Sequence, residues 1–226
     1  MSSGEPLSPE AFRALLGRGA SPFGLELSTE SQEALASYLA ELDRWRRRVN
    51  LTGPMSAREL VSHALESALG APMLPAGARV IDVGSGAGFP GLPLAIVRPD
   101  LAVTLLEPRG KRASFLRHAG RALALPNLLV LEESVERLEV PAWSAATSRA
   151  VGRLASILGP ASFLTPGGTL LAWTTRGTEL AGELAPVFAL VRLQPVPGSR
   201  KRAILLFRKV DPDVPRGTSG NGVQLE

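Results

Sequence analysis

The chain has 226 residues, of which 45% are hydrophobic and 20% are charged, and this composition excludes a disordered chain, a coiled coil and a collagen-like repeat. Its length suits one domain with a hydrophobic core and a small additional segment. The chain contains no cysteine, which excludes disulfides, thiolate metal sites and a cysteine nucleophile, and its net charge of +4 is compatible with an anionic partner without requiring one.

The beginning of the chain carries no targeting pattern. Residues 1–10 lack the positively charged and then apolar order of a signal peptide, and no apolar stretch approaches the roughly 18 residues that a membrane span needs. We therefore predict a soluble, cytoplasmic protein that does not associate with a membrane. We also predict no metal site.

The first quarter of the chain is predicted to be helical, with no strand before residue 75. Ser28 and Glu33 are plausible start signals for a helix, in which apolar residues recur at helical spacing: Leu35, Tyr38, Leu39, Leu42 and Trp45. Four arginines lie between residues 44 and 48, at the end of this helix, where their positive charges interact favourably with the negative end of the helix dipole. A second helix is predicted over residues 56–70.

From residue 79 onward, short β-rich runs alternate with helix-compatible segments. The predicted strands cover residues 79–83, 101–106, 128–131, 146–151 and 169–174, and the predicted helices cover residues 92–97, 111–123, 134–138 and 154–163. Strands that alternate with helices form parallel βαβ units. We therefore predict an α/β fold in which a twisted, mostly parallel sheet is covered by helices on both faces.

The end of the chain has a different pattern. Two extended runs, 187–193 and 203–208, are separated only by a Pro- and Gly-rich loop, which is too short for a parallel crossover, so we predict an antiparallel hairpin at the sheet edge. Residues 211–226 are polar and glycine-rich and are predicted to be disordered. The predicted organisation is a helical N-terminal extension over residues 1–74, a sheet domain over 75–210 and a tail over 211–226.

The strongest local motif follows the first predicted strand. Asp82 precedes a loop with glycine at four positions, namely Gly84, Gly86, Gly88 and Gly91. Glycine permits both a tight turn and the close approach of the backbone to a ligand. Glu107 follows the second strand about 20 residues further on, where a carboxylate can accept both hydrogen bonds of a ribose diol. These features predict a nucleoside site at the carboxyl edge of the parallel sheet.

Two nucleoside cofactors fit this motif, and a purely structural loop is a third interpretation. Residues 86–91 match the G-x-G-x-x-G pattern of dinucleotide-binding proteins, which allows NAD. The negative charge of Asp82 would repel a pyrophosphate, but it would attract the sulfonium and ammonium groups of S-adenosylmethionine (SAM). A dehydrogenase also needs a proton-transfer residue near its substrate, and the only histidines are His63, before the sheet, and His118, inside a predicted helix. The residues therefore favour SAM over NAD.

Further motifs accompany the loop, namely Gly110-Lys111-Arg112, Ser148-Arg149-Ala150 and, upstream, Asn50-Leu51-Thr52 with His63 and Glu66. This set closely resembles the bacterial small-subunit (16S) ribosomal RNA guanine-N7 methyltransferase family (RsmG, or glucose-inhibited division protein B) over about residues 30–210. The resemblance implies the class I SAM-dependent methyltransferase (Rossmann-like) fold, with a seven-stranded sheet and a helical N-terminal extension. Family members usually carry Asp where Glu66 and Glu107 stand, and many end in a basic Pro-rich tail that residues 211–226 match poorly.

The resemblance also implies which residues bind SAM and its product, S-adenosylhomocysteine. The implied contacts are Gly84 and Phe89 in the loop, Glu107, Pro108 and Arg109 after the second strand, Val135 and Glu136 after the third, and Arg149 in the fourth. The loop motif itself adds Asp82, Gly86 and Gly88 as candidates.

Methylation at guanine N7 requires little from protein side chains. N7 carries a free lone pair, so no proton has to leave, and catalysis consists mainly of holding N7 in line with the methyl group. We therefore expect methyl transfer from SAM to N7 of a guanine in small-subunit ribosomal RNA, either free or in an assembling subunit, by a monomeric enzyme. The alternatives are a small-molecule SAM methyltransferase and a non-catalytic, nucleotide-sensing module that binds the ribosome.

Several polar residues are candidates for contact with the RNA or with the target base. The basic candidates for RNA binding are Lys111, Arg112, Arg117 and Arg176, although Arg117 fits a solvated helix face equally well. Asn50 is expected to organise a turn or to reach a base edge, and His63 to pack, to cap a helix or to line the substrate pocket. Arg149 lies in a strand that should be buried, so it requires an anionic partner, either the cofactor carboxylate or a neighbouring acid.

Overall fold

The computed structural model describes residues 5–138, 142–149, 152, 154–159 and 161–210, and these residues form a seven-stranded sheet. Its strands are β1 (Arg79–Val83), β2 (Ala102–Leu106), β3 (Leu128–Leu131), β4 (Trp143–Arg149), β5 (Leu164–Thr174), β6 (Phe188–Pro195) and β7 (Ala203–Lys209). The sheet order is β3-β2-β1-β4-β5-β7-β6. The first five strands pair in parallel, and β7 lies antiparallel between β5 and β6. The predicted parallel sheet with an antiparallel hairpin at one edge is confirmed.

Three helices precede the sheet: α1 (Pro9–Ala20), α2 (Thr29–Trp45) and α3 (Ala57–Leu69). The helical character of the first quarter and the two specific helices are confirmed as α2 and α3, whereas α1 was not predicted. Ser28 caps α2 by accepting a hydrogen bond from the Ser31 amide, and Ser56 and Glu59 form a reciprocal capping box at the start of α3. Four further helices are α4 (Gly91–Val97), α5 (Gly110–Ala122), α6 (Leu154–Leu158) and α7 (Gly177–Leu184). No helix in the described residues combines the length and the apolar character needed to cross a bilayer.

The hydrophobic core divides between the two faces of the sheet because side chains alternate along each strand. In β5, Leu171 and Trp173 belong to one buried cluster, and Leu170 and Ala172 belong to the other. The first cluster also contains buried residues of α1, α2 and α3. The helical extension and the sheet therefore share a core across the boundary drawn at residue 74, and the division into separate units stays a prediction.

One of the predicted helices is wrong and another is too long. Residues 134–138 form a single 3-10 turn (Val135–Arg137), because Ser134 and Leu138 on either side have extended backbone conformations and Ser134 provides no capping hydrogen bond. The helix predicted over 154–163 ends at Leu158, because Gly159 and Ala161 adopt the left-handed backbone conformation, with φ of 52° and 49°.

The remaining differences concern the second half of the sheet. Strand β4 begins at Trp143 rather than at residue 146. Strand β5 begins at Leu164 rather than at 169; its first residues include Pro166 and Gly167, which are typical of loops and so were not predicted as strand. Helix α7 was not predicted, although buried Leu180 and Leu184 have helical spacing. Ala150 and Val151 of the fourth predicted strand, and the predicted tail 211–226, lie outside the described residues.

Candidate active site

The glycine loop connects β1 to α4 at the point where the chain reverses its direction across the sheet. Strand β1 lies between β2 and β4, and ligands of open α/β sheets bind beside the carboxyl ends of such strands. The amides of Gly84 and Ser85 both donate to the carbonyl oxygen of Leu106, at 2.9 and 3.1 Å, which fixes the loop to the end of β2. The loop is therefore rigidly placed at the edge where the sequence predicts a nucleoside.

The glycines of the loop have different roles. All three of Gly84, Gly86 and Gly88 have positive φ, at 73°, 55° and 105°. The nearest atoms to a Cβ atom at Gly86 would be Nη1 of Arg112 and the carbonyl oxygen of Gly84, both at 3.8 Å. The backbone of Gly86 is therefore accessible to a ligand on this side. A Cβ atom at Gly88 would lie 2.5 Å from Cδ1 of Leu92 and 3.1 Å from the hydroxyl oxygen of Tyr38.

Glycine is therefore required at position 88 for a reason other than the predicted approach of a cofactor to its backbone. Whether Gly88 contacts the cofactor stays a prediction. Gly88 is buried, and the space left by its missing side chain is filled by Leu92 and Tyr38 of the protein itself. Its role in the structure is to let α4 and α2 pack closely against the loop.

Asp82 supports the loop from the protein interior. Its side chain has no exposed area; Oδ2 accepts a hydrogen bond from the amide of Gly91 at 3.3 Å, and Oδ1 accepts one from the hydroxyl of Thr147 at 2.8 Å. Burial raises the pKa of this carboxyl group to about 6. The contacts make Asp82 a positioning residue, and its direct contact with a cofactor stays a prediction.

Glu107 joins the end of β2 to the loop. Its carboxylate is buried; Oε2 accepts a hydrogen bond from the amide of Gly86, and Oε1 accepts one from the amide of Arg109, both at 2.9 Å. Each carboxylate oxygen keeps a second lone pair, which suits the two hydroxyl groups of a ribose. Pro108 is exposed beside it, as is Arg109.

The predicted contacts after β3 lie close to the same edge. Val135 is buried in one apolar cluster with Val83 and Leu106, the last residues of β1 and β2, whereas Glu136 is exposed. The structure thus brings together the predicted cofactor residues of the first three strands. Arg149 follows Ser148 in the neighbouring strand β4, where the hydroxyl of Ser148 donates to the carbonyl oxygen of Val83 at 3.3 Å, and its contact with a cofactor stays a prediction.

Arg149 lines a cavity of about 360 Å³ at the carboxyl ends of β4 and β5. Its guanidinium donates to Glu66 Oε2 at 2.6 Å and to the carbonyl oxygen of His63 at 3.1 Å. The expectation of a neighbouring acid as partner is confirmed. The cavity is lined by apolar Leu154, Trp173, Leu180 and Val196 and by polar groups that include His63 and Arg202.

Glu66 is the anionic centre of this cavity. Its side chain is only 1% exposed, and it accepts hydrogen bonds from Arg149, from the hydroxyl of Ser62 at 2.9 Å and from Nη1 of Arg202. No sequence motif points to Arg202, which lies in the loop between β6 and β7, 136 residues along the chain from Glu66. The pKa of Arg149 is lowered from its ordinary value, mainly because the guanidinium is buried.

His63 lines the same cavity and also contacts the glycine loop. Nη2 of Arg149 contacts Nδ1 of His63, and the imidazole ring lies 5.7 Å from the ring of Phe89 between centroids. Burial, with the positive charge of Arg149 next, lowers the pKa of His63 to about 4. His63 therefore both lines the cavity and packs against Phe89, and the expectation that this cavity receives the substrate stays a prediction.

The basic candidates differ in how they are paired. Arg117 forms an ion pair with Glu132 at 2.9 Å. Arg176, on the rim of the cavity, is paired with Glu179 at 2.9 Å and with Glu183. Lys111 is exposed and Arg112 is half-buried, and no acidic partner is found for either among the described residues.

Asn50 is exposed between α2 and α3, and the structure does not place it among the residues that line the cavity. Two residues further on, the hydroxyl of Thr52 is buried without a hydrogen-bond partner in the described part of the chain. The expectation that Asn50 reaches a base edge stays a prediction.

Comparison with known proteins agrees with this geometry. Residues 31–187 match the sequence profile of a family described as rRNA small subunit methyltransferase G. The chain is 40% identical over 163 residues to the ribosomal RNA small subunit methyltransferase G of Halorhodospira halophila. The aligned region covers 71% of this chain and 77% of that protein. It is 41% identical over 149 residues to the protein of the same name from Desulfotalea psychrophila, which covers 63% of this chain and 69% of that protein.

Two solved structures share the fold. The chain is similar to a SAM-dependent methyltransferase from Aquifex aeolicus, with a TM-score of 0.53, 18% identity and coverage of 65% of this chain and 89% of that chain. It is also similar to a SAM-dependent O-methyltransferase from Thermotoga maritima, with a TM-score of 0.52, 20% identity and coverage of 76% and 71%. The class I methyltransferase fold expected from the sequence is confirmed.

Proposed function

The chain belongs to the rRNA small subunit methyltransferase G family, and on that premise we propose that it transfers the methyl group of SAM to N7 of a guanine in small-subunit ribosomal RNA. The observation that supports this proposal most is the adjacency of two sites. The bare glycine loop with Glu107 lies at the ends of β1 and β2, and the polar cavity with Arg149 lies next to it at the ends of β4 and β5.

The residues around the glycine loop fit SAM by their chemistry. The open backbone at Gly86 provides room for close approach, and the buried Glu107 carboxylate offers lone pairs to ribose hydroxyl groups. When bound, SAM supplies a methyl group on a positively charged sulfur. The residues that would hold it are Gly84, Gly86, Phe89, Glu107, Pro108, Arg109, Val135 and Glu136.

The cavity fits a base that needs positioning rather than deprotonation. N7 of guanine attacks with its own lone pair, so no side chain has to remove a proton. In agreement with this, the titratable groups of the cavity are already paired with one another: Glu66 accepts from Arg149 and Arg202, and Nδ1 of His63 faces Arg149. Apolar Trp173 and Leu154 line the cavity and provide surfaces against which a purine can pack.

The surface near the loop fits an RNA backbone. Exposed Lys111 and half-buried Arg112 lie in the first turn of helix α5, directly after the cofactor edge, where their charges can meet phosphate groups. We propose that the partner is small-subunit ribosomal RNA within an assembling subunit, that the enzyme acts as a monomer, and that the reaction takes place in the cytoplasm.

The test is a methyl-transfer assay with small ribosomal subunits from cells in which the gene for this chain has been deleted. We expect label from methyl-tritiated SAM to enter a guanine of the RNA. Borohydride reduction followed by aniline cleavage should locate it, because reduced N7-methylguanine is lost from the ribose and leaves a site at which aniline cleaves the chain. The matched control is Glu107→Ala, which should abolish transfer. Label in a small molecule but not in RNA would replace the proposal with a small-molecule methyltransferase, and saturable SAM binding without any transfer would replace it with a non-catalytic module.

A further inference from the structure

His63 and Arg149 are arranged so that only one nitrogen of the imidazole ring can carry a proton. Nη2 of Arg149 contacts Nδ1 of His63, while Nη1 of the same guanidinium donates to the carbonyl oxygen of His63 at 3.1 Å. A guanidinium has donors and no acceptor, so Nδ1 must accept and must be unprotonated. The proton of the neutral ring is therefore on Nε2.

The surroundings keep the imidazole ring neutral at physiological pH. The charged groups that face it are Arg149, Arg202, Glu66 and Glu59, and burial together with Arg149 outweighs the two carboxylates and lowers the pKa of His63 to about 4. The Nδ1 atom is 4.0 Å from Oε2 of Glu66, and Arg149 already donates to that oxygen. The ring is thus a neutral hydrogen-bond donor with a fixed tautomer.

That donor has no partner among the residues that the structure describes. His63 lines the cavity with 22% of its side chain exposed, and within the described residues no hydrogen-bond partner is found for Nε2. The carbonyl oxygen of His63 is already engaged by Arg149 and by the hydroxyl of Ser67. The Nε2–H group is therefore available for a ligand of the cavity.

The edge of guanine that carries N7 presents two acceptors, N7 and O6, whereas adenine presents N7 and an amino donor. A hydrogen bond to N7 would occupy the lone pair that must attack the methyl group. A hydrogen bond to O6 leaves N7 free and is not available with adenine. A neutral donor also avoids repulsion of the positive charge that methylation places on the purine.

We propose that Nε2–H of His63, held in place by Arg149, donates a hydrogen bond to O6 of the target guanine and so selects guanine over adenine. This inference rests on the proposed function, because it assigns the cavity to the target base. It makes His63 a specificity residue, with Arg149 as the residue that positions it.

The test combines the His63→Phe variant with a change of the target base. Once the methylated position is mapped, subunits are reconstituted with RNA that carries either guanine or 2-aminopurine there, since 2-aminopurine keeps N7 and lacks O6. Single-turnover transfer is measured at saturating SAM. We expect wild-type protein to methylate guanine about tenfold faster than 2-aminopurine, and His63→Phe to lower the rate on guanine about tenfold while leaving the rate on 2-aminopurine unchanged.

A merely structural role of His63 would lower both rates by the same factor and would overturn the inference. His63→Gln and His63→Asn provide a second comparison that does not depend on the Phe variant folding. Gln places an amide N–H near the position of Nε2 and should keep most of the guanine rate, whereas Asn reaches only the position of Nδ1 and should lose it. Equal rates for the two variants would also overturn the inference.

The control is His118→Phe, which changes the other histidine, paired with Glu41 at 3.0 Å, and should leave both rates unchanged. The experiment distinguishes a wrong function from a wrong role of His63. Absence of transfer by the wild-type protein contradicts the proposed function. Transfer by wild-type protein that does not distinguish guanine from 2-aminopurine contradicts only the role of His63.

Discussion

Tyr38 in helix α2 donates a hydrogen bond of 2.8 Å from its hydroxyl group to the carbonyl oxygen of Ala87 in the glycine loop. The side chain of Tyr38 is fully buried, and its ring meets Phe89 edge to face with the centroids 5.5 Å apart. The N-terminal helices therefore hold the loop in its conformation from the interior. Helix α2 thus supports the loop at which we propose that SAM binds.

The first prediction follows from this bond. Tyr38→Phe keeps the ring and leaves the Ala87 carbonyl oxygen buried without its partner, which should lower the free energy of unfolding by about 1–3 kcal/mol. Because the freed carbonyl belongs to the loop, we expect the affinity for SAM to fall several-fold as well. Urea denaturation and titration calorimetry measure the two quantities.

The control for Tyr38→Phe is a variant that loses a comparable amount of unfolding free energy at a position far from the loop. Ile204→Val in β7 removes one methyl group from the core and should cost about 0.5–1.5 kcal/mol without changing SAM affinity. Unchanged SAM affinity in Tyr38→Phe would show that the loop does not depend on the helix.

The sequence predicted those parts of the site that lie close together along the chain. Asp82, the glycines and Glu107 occupy successive strand ends of one βαβ unit, so the strand pattern alone brings them to one edge. The bond between Tyr38 and Ala87 and the bond between Arg202 and Glu66 join residues 49 and 136 positions apart. Local periodicity carries no information about such pairs, and this is why Arg202 and the role of Tyr38 required the structure.

The second prediction concerns the pH dependence of stability. Burial raises the pKa of Asp82 from 3.8 to about 6, so the folded protein holds this proton at pH values where the unfolded chain has lost it. The stabilising contribution is therefore present in full below pH 3.8 and is lost as the pH rises to about 6. The free energy of unfolding of wild-type protein, minus that of Asp82→Asn, should fall by roughly 3 kcal/mol across this interval.

Chemical denaturation at a series of pH values measures this difference, and a flat difference would contradict the raised pKa. The same carboxyl group provides a second test through the ligand. A cationic sulfonium favours ionised Asp82, so the affinity for SAM should rise with pH through about 6, and the affinity for the thioether product, which lacks that charge, should rise less.

The third prediction concerns the buried Glu66. Glu66→Gln removes the charge that satisfies Arg149 and Arg202, and breaking a buried ion pair in this way costs about 3–5 kcal/mol of unfolding free energy. Glu179→Gln is the matched control, because it removes an exposed partner of Arg176 and should cost less than about 1 kcal/mol. Equal losses in the two variants, measured by urea denaturation, would show that Glu66 is not the anchor of the cavity.

The fourth prediction ranks the basic residues by their pairing. The double variant Lys111→Ala/Arg112→Ala should weaken the binding of small-subunit RNA and reduce the slope of log affinity against log salt by about 1–2, because two phosphate contacts are lost. Arg117→Ala should have a smaller effect, since Arg117 is engaged by Glu132. Filter binding over a range of salt concentrations tests both. SAM affinity should stay constant in the single variant Lys111→Ala, which is the control, because Nη1 of Arg112 but not Lys111 lies within 3.8 Å of the position of a Cβ atom at Gly86. An equal slope for wild-type and double variant would contradict the role of these residues.

The last prediction separates the cost of an unusual backbone from the cost of a blocked ligand. Gly86 and Gly77 have similar positive φ angles, 55° and 65°, and each amide donates to a carboxylate, Glu107 at 2.9 Å and Asp100 at 3.0 Å. Neither has an atom closer than 3.8 Å to an added Cβ, so alanine at either position should cost a similar 1–2 kcal/mol, roughly the strain of the left-handed conformation. Only Gly86→Ala places a methyl group on the open side of the loop. We therefore expect equal losses of stability in the two variants, and a loss of SAM affinity of about tenfold or more in Gly86→Ala alone. Calorimetry that finds the same SAM affinity for both variants would mean that the cofactor does not approach the backbone at Gly86.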